Sequence, residues 1–226
     1  MSPVEHPHLY GLDASFLQPF EAFFLEQNTL NAFKQMQAAA AQEGIAINIC
    51  SAHRNFDKQL TIWNAKACGK RTLLDINNQP LDFTSLSKDQ LMQAILLWSA
   101  LPGSSRHHWG TDIDVFDLNT ISRDKLRLTT DEYQSGGPCH RLFLWLREYA
   151  QQFGFYFPYQ QHLSGVSPEP WHISYYPVSN DFLAQYDSQQ LVKVIEFADI
   201  ELKPQILNKL EYLVEHYVRF VAPAPD

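Results

Sequence analysis

Three cysteines, nine glycines and the lack of any long apolar run narrow the possibilities for this 226-residue chain before any motif is considered. Cys50, Cys68 and Cys139 are scattered, odd in number and without a C-x-x-C pair, so neither a disulfide framework nor a zinc ribbon is indicated. Free thiols fit a reducing compartment. No stretch approaches the roughly 20 apolar residues of a membrane-spanning helix. The opening Met-Ser-Pro-Val-Glu-His has neither a basic n-region nor an apolar h-region. Together these features predict a protein with no membrane partner, cytoplasmic if Met1 is the natural start and periplasmic if a leader has been removed. Positive charge is also short, with 17 Lys and Arg against 25 Asp and Glu and a net charge of −8. A nucleic-acid partner is excluded on that ground, because phosphate recognition needs a basic surface. Internal repeats and low-complexity linkers are absent. What is present is an ordinary globular composition, 45% hydrophobic and 13% aromatic, which rules out disorder and collagen-like repeats. The length suits one well-filled domain over residues 1–226.

Helical composition with Leu30, Phe33 and Met36 on one face predicts a helix over 29–42, ended by Gly44. Ile45, Ile47 and Ile49 alternate like a strand over 45–50, and a helix over 56–67 follows, closed by Gly69. Ser87 and Gln90 form a capping-box pattern that opens a helix running to Trp98. Short strands are predicted at 111–116, 155–157 and 171–175, a helix at 141–153, and two or three amphipathic helices over 180–220. Helices mixed with short, irregularly spaced strands indicate an α+β fold: a small antiparallel sheet flanked by helices, with a C-terminal helical extension.

Three segments carry chemistry. In Ser105-Arg-His107-His108-Trp-Gly110-Thr-Asp112-Ile-Asp114, a strand from Thr111 puts Asp112 and Asp114 on one face and Ile113 and Val115 on the other. Gly110 lets the preceding loop turn back, bringing the His107 imidazole toward that carboxylate face. Histidine and carboxylate converging in this way suit zinc, although a polar loop running into an edge strand reads the same. In Ser167-Pro-Glu169-Pro170-Trp171-His172, the two prolines keep Glu169 out of a helix, and a strand from Trp171 would aim His172, Ser174 and Tyr176 one way. His172 then offers a third ligand, with Glu169 over an open metal position; the alternative is a buried aromatic strand with a satisfied histidine. In Ser51-Ala-His53-Arg54, the arginine stands just beyond a buried strand, where its fork suits a carboxylate or a carbonyl turning into an oxyanion. Alone, that segment reads better as a surface arginine before a helix cap.

Read together, Ser105-x-His107-x-x-Gly110-x-x-x-Asp114 and Glu169-x-Trp171-His172-x-x-Tyr175 resemble the paired signature of the LAS metallopeptidases, in particular their VanY-type D-alanyl-D-alanine and L,D-carboxypeptidase branch. Ser51 to Gln59 resembles the Ser-x-x-Arg stretch of the same branch, and the likeness covers about residues 45–176. One departure stands at Asp112, where the family usually has a small residue. The helical tail, about 178–221, lies outside the likeness. The resemblance implies His107, Asp114 and His172 as Zn2+ ligands and Glu169 as general base. Arg54 would polarise the scissile carbonyl and stabilise the tetrahedral intermediate, Ser105 would help hold the substrate's terminal carboxylate, Gln59 would be a secondary substrate contact, and Trp171 would wall the pocket. His108 is expected to stand behind a ligand or on the surface, and the aromatics of 153–159 to belong to the core.

The implied substrate is a peptidoglycan-derived stem peptide or muropeptide losing its terminal D-Ala. Without a leader, the expected setting is cytoplasmic murein recycling, where an L,D-carboxypeptidase trims tetrapeptide to tripeptide. The rivals, in order, are a D,D-carboxypeptidase acting on pentapeptide, a phage-type endopeptidase and a non-catalytic zinc-holding module.

Overall fold

The computed structural model describes residues 3–225. Its elements run β1 (Gln18–Phe20), β2 (Phe23–Leu25), α1 (Gln27–Gln42), β3 (Ile47–Ser51), α2 (Phe56–Ala67), β4 (Leu73–Leu74), β5 (Pro80–Leu81), α3 (Lys88–Leu96), β6 (Asp112–Asp117), α4 (His140–Tyr149), β7 (Phe155–Tyr156), β8 (His172–Tyr175), α5 (Tyr176–Gln185), α6 (Ser188–Phe197) and α7 (Lys203–Val214). The fold is α+β. Strands β3, β6, β8 and β7 form, in that order, a four-stranded antiparallel sheet, while β1–β2 and β4–β5 are separate two-stranded ribbons.

The period-2 alternation decides how this sheet is covered. Ile47, Ile49, Ile113, Val115 and Ile173 point into an apolar layer made with Leu30, Phe33 and Met36 of α1 and Leu142, Trp145 and Leu146 of α4. The alternate residues, Asp112 and Asp114 on β6 and His172 and Ser174 on β8, share the other face. Register pairs Asp114 with His172 and Asp112 with Ser174. Strand β6 is therefore central and buried along its whole length, not an edge strand.

A second apolar cluster joins Phe56 and Trp63 of α2 and Leu91, Met92 and Ile95 of α3 to Leu191, Ile195, Ile206, Leu210 and Leu213 of the C-terminal helices. Hydrogen bonds reinforce it, from Trp63 Nε1 to the Glu201 carbonyl (3.0 Å) and from Asn64 Nδ2 to the Asp199 carbonyl (2.8 Å). The tail also braces the loops that carry the motifs. Tyr186 OH donates to the Gly103 carbonyl (2.8 Å), and the Ala222 amide donates to the Pro158 carbonyl (2.9 Å).

Most strand and helix ends fall within two residues of the sequence expectation, and three differences change the local geometry. The helix expected over 141–153 ends at Tyr149 and continues as a tight 3-10 turn, Ala150–Phe153, closed by Gly154 at φ 80°. Helix α3 stops at Leu96, two residues before Trp98, although its Ser87–Gln90 capping box forms as expected. Tyr176, placed on the β8 face by simple alternation, instead opens α5, with Pro177 in the first helical turn where its missing N–H costs nothing.

Candidate metal and active site

His107, Asp114 and His172 come together with their ligand atoms all within 4.8 Å of one another. All three are buried, with exposures of 4%, 6% and 1%. His107 lies in a short 3-10 turn, Arg106–Trp109, that ends at Gly110 with φ 68°. That left-handed turn sends the chain directly into β6, so His107 Nε2 stands 3.3 Å from Asp114 Oδ2. The other Asp114 oxygen, Oδ1, lies 3.0 Å from His172 Nδ1 across the β6–β8 pair. Glu169 sits on the irregular approach to β8, with Oε2 3.5 Å from His172 Nδ1. The loop turns back at this point, because the His172 amide donates to the Glu169 carbonyl (3.1 Å).

The charges of the group follow from this packing. Burial alone would lower the His172 pKa, but Asp112 and Asp114, one at each ring nitrogen, outweigh it and raise the value to about 9. Burial in turn pushes the Glu169 carboxyl up to about 7, with the nearby His172 opposing the shift. His107 is driven down by burial and by the Arg54 charge. Two imidazoles and one carboxylate in a buried cluster form a nitrogen and oxygen donor set that fits zinc, three donors being one fewer than the four of a closed structural site. Metal binding at His172 Nδ1 requires that nitrogen to be deprotonated.

Asp112 gives the departure from the family pattern a physical role. It is fully buried and accepts from Arg106 Nε (2.8 Å), Thr111 Oγ1 (2.8 Å) and Ser174 Oγ (2.9 Å). Its Oδ1 is also 3.0 Å from His172 Nε2. A carboxylate on the far nitrogen of a ligand histidine fixes the ring's orientation and tautomer. Arg106, 1% exposed, balances the carboxylate's charge, and its guanidinium also bonds Ser174 Oγ (2.8 Å) and lies over the Trp109 ring.

His108 is wholly buried. The Gly103 amide donates to its Nε2 (3.1 Å), so Nδ1 carries the proton and donates to the Arg54 carbonyl. Burial holds its pKa near 3, so the ring is neutral. The Arg54 amide meanwhile donates to the His107 carbonyl (3.1 Å). His108 thus clamps the backbone of Arg54 against the turn that carries His107. Nothing in the local sequence reveals this, because the partners lie 54 residues apart.

Ser105 is buried at the start of the His107 turn. Gln59 is also fully buried: its Nε2 donates to the Ala100 carbonyl (2.7 Å), and its Oε1 has no partner. Trp171 packs against Trp98 in a stacked arrangement and against Tyr133. A cleft of about 670 Å3 starts at Glu169 and runs between Tyr133, Phe143, Phe157 and Tyr159. Phe157 and Tyr159 therefore serve the cleft wall, and of the 153–159 aromatics Phe155 is the one at the centre of the core.

The sequence profile of the VanY D-alanyl-D-alanine carboxypeptidases matches residues 22–178. The chain belongs to that family. VanY membership together with a buried His–Asp–His group beside a carboxyl makes the protein a metallo-carboxypeptidase. It is 29% identical over 140 residues to a D-alanyl-D-alanine carboxypeptidase of Enterococcus faecalis, a match covering 61% of this chain and 42% of that one. Its fold is similar to a D,D-pentapeptidase VanY mutant from a VanB-type resistance cassette in complex with Zn(II), with TM-score 0.52, 20% identity, and 89% and 92% of the two chains covered. It is also similar to the LdcB LD-carboxypeptidase, with TM-score 0.50, 18% identity, and 91% and 75% covered. At these identities the two likenesses concern the fold. The VanY profile begins upstream of the motif-bearing stretch, at the β1–β2 ribbon, whose neighbourhood seats Gly110: the Glu26 amide donates to the Gly110 carbonyl (2.9 Å).

Proposed function

We propose that the protein is a zinc L,D-carboxypeptidase that removes the terminal D-Ala from peptidoglycan tetrapeptides, acting on soluble muropeptides during cytoplasmic murein recycling. The observation that carries the catalytic part is the convergence of His107, Asp114 and His172 with Glu169 beside them. His107 through Nε2, His172 through Nδ1 and Asp114 would hold the zinc. When bound there, the ion supplies a Lewis acid for the scissile carbonyl and brings the pKa of a coordinated water toward about 7.

The protein's own groups do the rest. Glu169 takes the proton of the attacking water and returns it to the leaving amine nitrogen, acting first as base and then as acid. Arg54, whose buried Nε has no partner, offers its fork to the carbonyl oxygen as negative charge develops. Ser105 and Gln59 contact the terminal residue from the turn and from α2, and Trp171 walls the pocket through its stack on Trp98.

Two considerations support the cytoplasmic, tetrapeptide-directed form. All three cysteines are free and Cys68 is exposed, as a reducing compartment permits. In the same compartment a D,D-carboxypeptidase would destroy pentapeptide precursors. The family description favours that D,D activity as the second reading. Incubating the zinc-loaded protein separately with tetrapeptide and pentapeptide muropeptides, followed by mass spectrometry, decides between them. Loss of D-Ala from the tetrapeptide alone is expected. Trimming of the pentapeptide alone would transfer the assignment to the D,D class.

A further inference from the structure

Helix α2 presents two polar side chains seven residues apart, hence on one face, and both cross to the same short segment. Gln59 Nε2 donates to the Ala100 carbonyl, and Lys66 Nζ donates to Ser99 Oγ, each at 2.7 Å. Lys66 is half-buried, yet among the described residues no carboxylate forms an ion pair with it, and the hydroxyl of Ser99 is the partner the structure gives it. Burial lowers its pKa to about 8, helped by Arg71 and Arg54, so the amine is still cationic at neutral pH. The segment that holds it lies against the Glu169 loop, with Trp98 stacked on Trp171 and the Ser167 amide donating to the Leu97 carbonyl (3.3 Å). The Glu169 carboxylate, which must remain free to carry a proton, is the one whose charge reaches Lys66. Arg54 and Arg71 have no ion-pair partner among the described residues either. In a chain of net charge −8, two cations without a carboxylate at ion-pair distance, Lys66 and Arg54, therefore both act on the Glu169 carboxyl.

An ammonium taken partly out of water without a counter-ion is costly unless an anion comes to it. A carboxypeptidase brings one with every turnover. The free α-carboxylate of the leaving residue lies one residue beyond the scissile carbonyl, about 3.8 Å along the Cα trace. We infer that Lys66, held by Ser99, binds that terminal carboxylate and so makes the enzyme select chain ends over internal peptide bonds. This rests on the carboxypeptidase reading and adds to it a residue outside the motifs that suggested that reading.

The test uses the full-length zinc-loaded protein and three probes: a stem tetrapeptide as free acid, the same peptide as its C-terminal amide, and the free acid with its other carboxyl groups amidated. Wild type should prefer both free acids over the C-terminal amide. Lys66→Met should raise KM for the free acids by about tenfold to a hundredfold, the loss of one charge-assisted hydrogen bond, with a much smaller change in kcat. It should also bring the acid-to-amide ratio close to unity, and Lys66→Arg should restore the preference. Equal acid-to-amide ratios in wild type and Lys66→Met would overturn the inference, even if the pH profile moved through the effect of Lys66 on Glu169. So would a Lys66 effect that tracks amidation of the other carboxyl groups. If wild type hydrolyses no stem peptide, the carboxypeptidase reading is what fails. Calorimetric binding of D-alanyl-D-alanine, free acid against amide, to zinc-loaded Glu169→Gln with and without Lys66→Met still decides the role of Lys66. Loss of the acid preference with Lys66→Met supports the inference, and its retention refutes it.

Discussion

Replacing Asp112 by alanine should damage the protein in two separable ways. Asp112 and Arg106 are 0% and 1% exposed, and their ion pair is 2.8 Å long. Truncating the carboxylate leaves a buried guanidinium without its counter-charge, a loss of about 3–5 kcal/mol. Set against a typical domain stability of about 5–15 kcal/mol, that is a large fraction. A second substitution, Arg106→Met, should return most of the lost stability, because removing both partners of a buried pair leaves no charge stranded. The metal site should not recover in the same way. His172 Nε2 loses its acceptor in the single and in the double variant alike, and loss of such a partner typically lowers metal affinity by about 10–100-fold. Urea unfolding of the metal-free proteins reads the first effect, and zinc competition against a chromophoric chelator reads the second. A double variant with restored stability and weakened zinc binding is the expected pattern. Zinc affinity within about twofold of wild type in both variants would refute the orienting role of Asp112, and an unchanged urea midpoint for Asp112→Ala would refute the ion-pair reasoning.

Glu169→Gln should bind zinc as wild type does while losing about 100–10,000-fold in kcat, since the amide cannot take the proton; unchanged turnover would remove Glu169 from its role as base. Gly110→Ala should lower the stability by about 1–2 kcal/mol for the left-handed backbone alone, read as a lower melting temperature. Its Cβ would also meet Leu17 Cδ2 at 2.5 Å and the Glu26 amide nitrogen at 3.0 Å, so thermal scans showing wild-type stability would contradict the described turn. Leu210→Ala, in the apolar cluster that backs α2, should cost about 2–5 kcal/mol in chemical denaturation. A negligible cost there would mean that the C-terminal helices do not support α2.

The elements that sequence made legible are those whose signals are local. The apolar stripe of Leu30, Phe33 and Met36, the Ser87–Gln90 capping box and the alternation from Thr111 to Phe116 each specify their element within a few residues. The clustering of His107, Asp114 and His172 was legible for a similar reason, because strand alternation assigns Asp114 and His172 to faces and Gly110 permits the turn that brings His107 back. Non-local features were not legible. Whether β6 lies at an edge or in the middle depends on its pairing with both β3 and β8, more than 50 residues away on either side. The same holds for the His108 clamp on Arg54 and for the Lys66–Ser99 contact. Asp112 was visible as an oddity, but its meaning required Arg106 and Ser174, one in the preceding turn and one on the neighbouring strand, to close around it. The short β1–β2 and β4–β5 ribbons, of two or three residues per strand, are too brief to leave a periodic pattern.

The most direct measurement is a zinc titration of the metal-free protein with a free-acid tetrapeptide present, following release of the terminal D-Ala by mass spectrometry. The account predicts no release without metal, activity rising in proportion to added zinc, and a plateau at one ion per chain. It also predicts that a His172→Ala variant stays inactive throughout the titration. Release in the absence of metal, or full activity in His172→Ala, would contradict hydrolysis at the His107–Asp114–His172 centre.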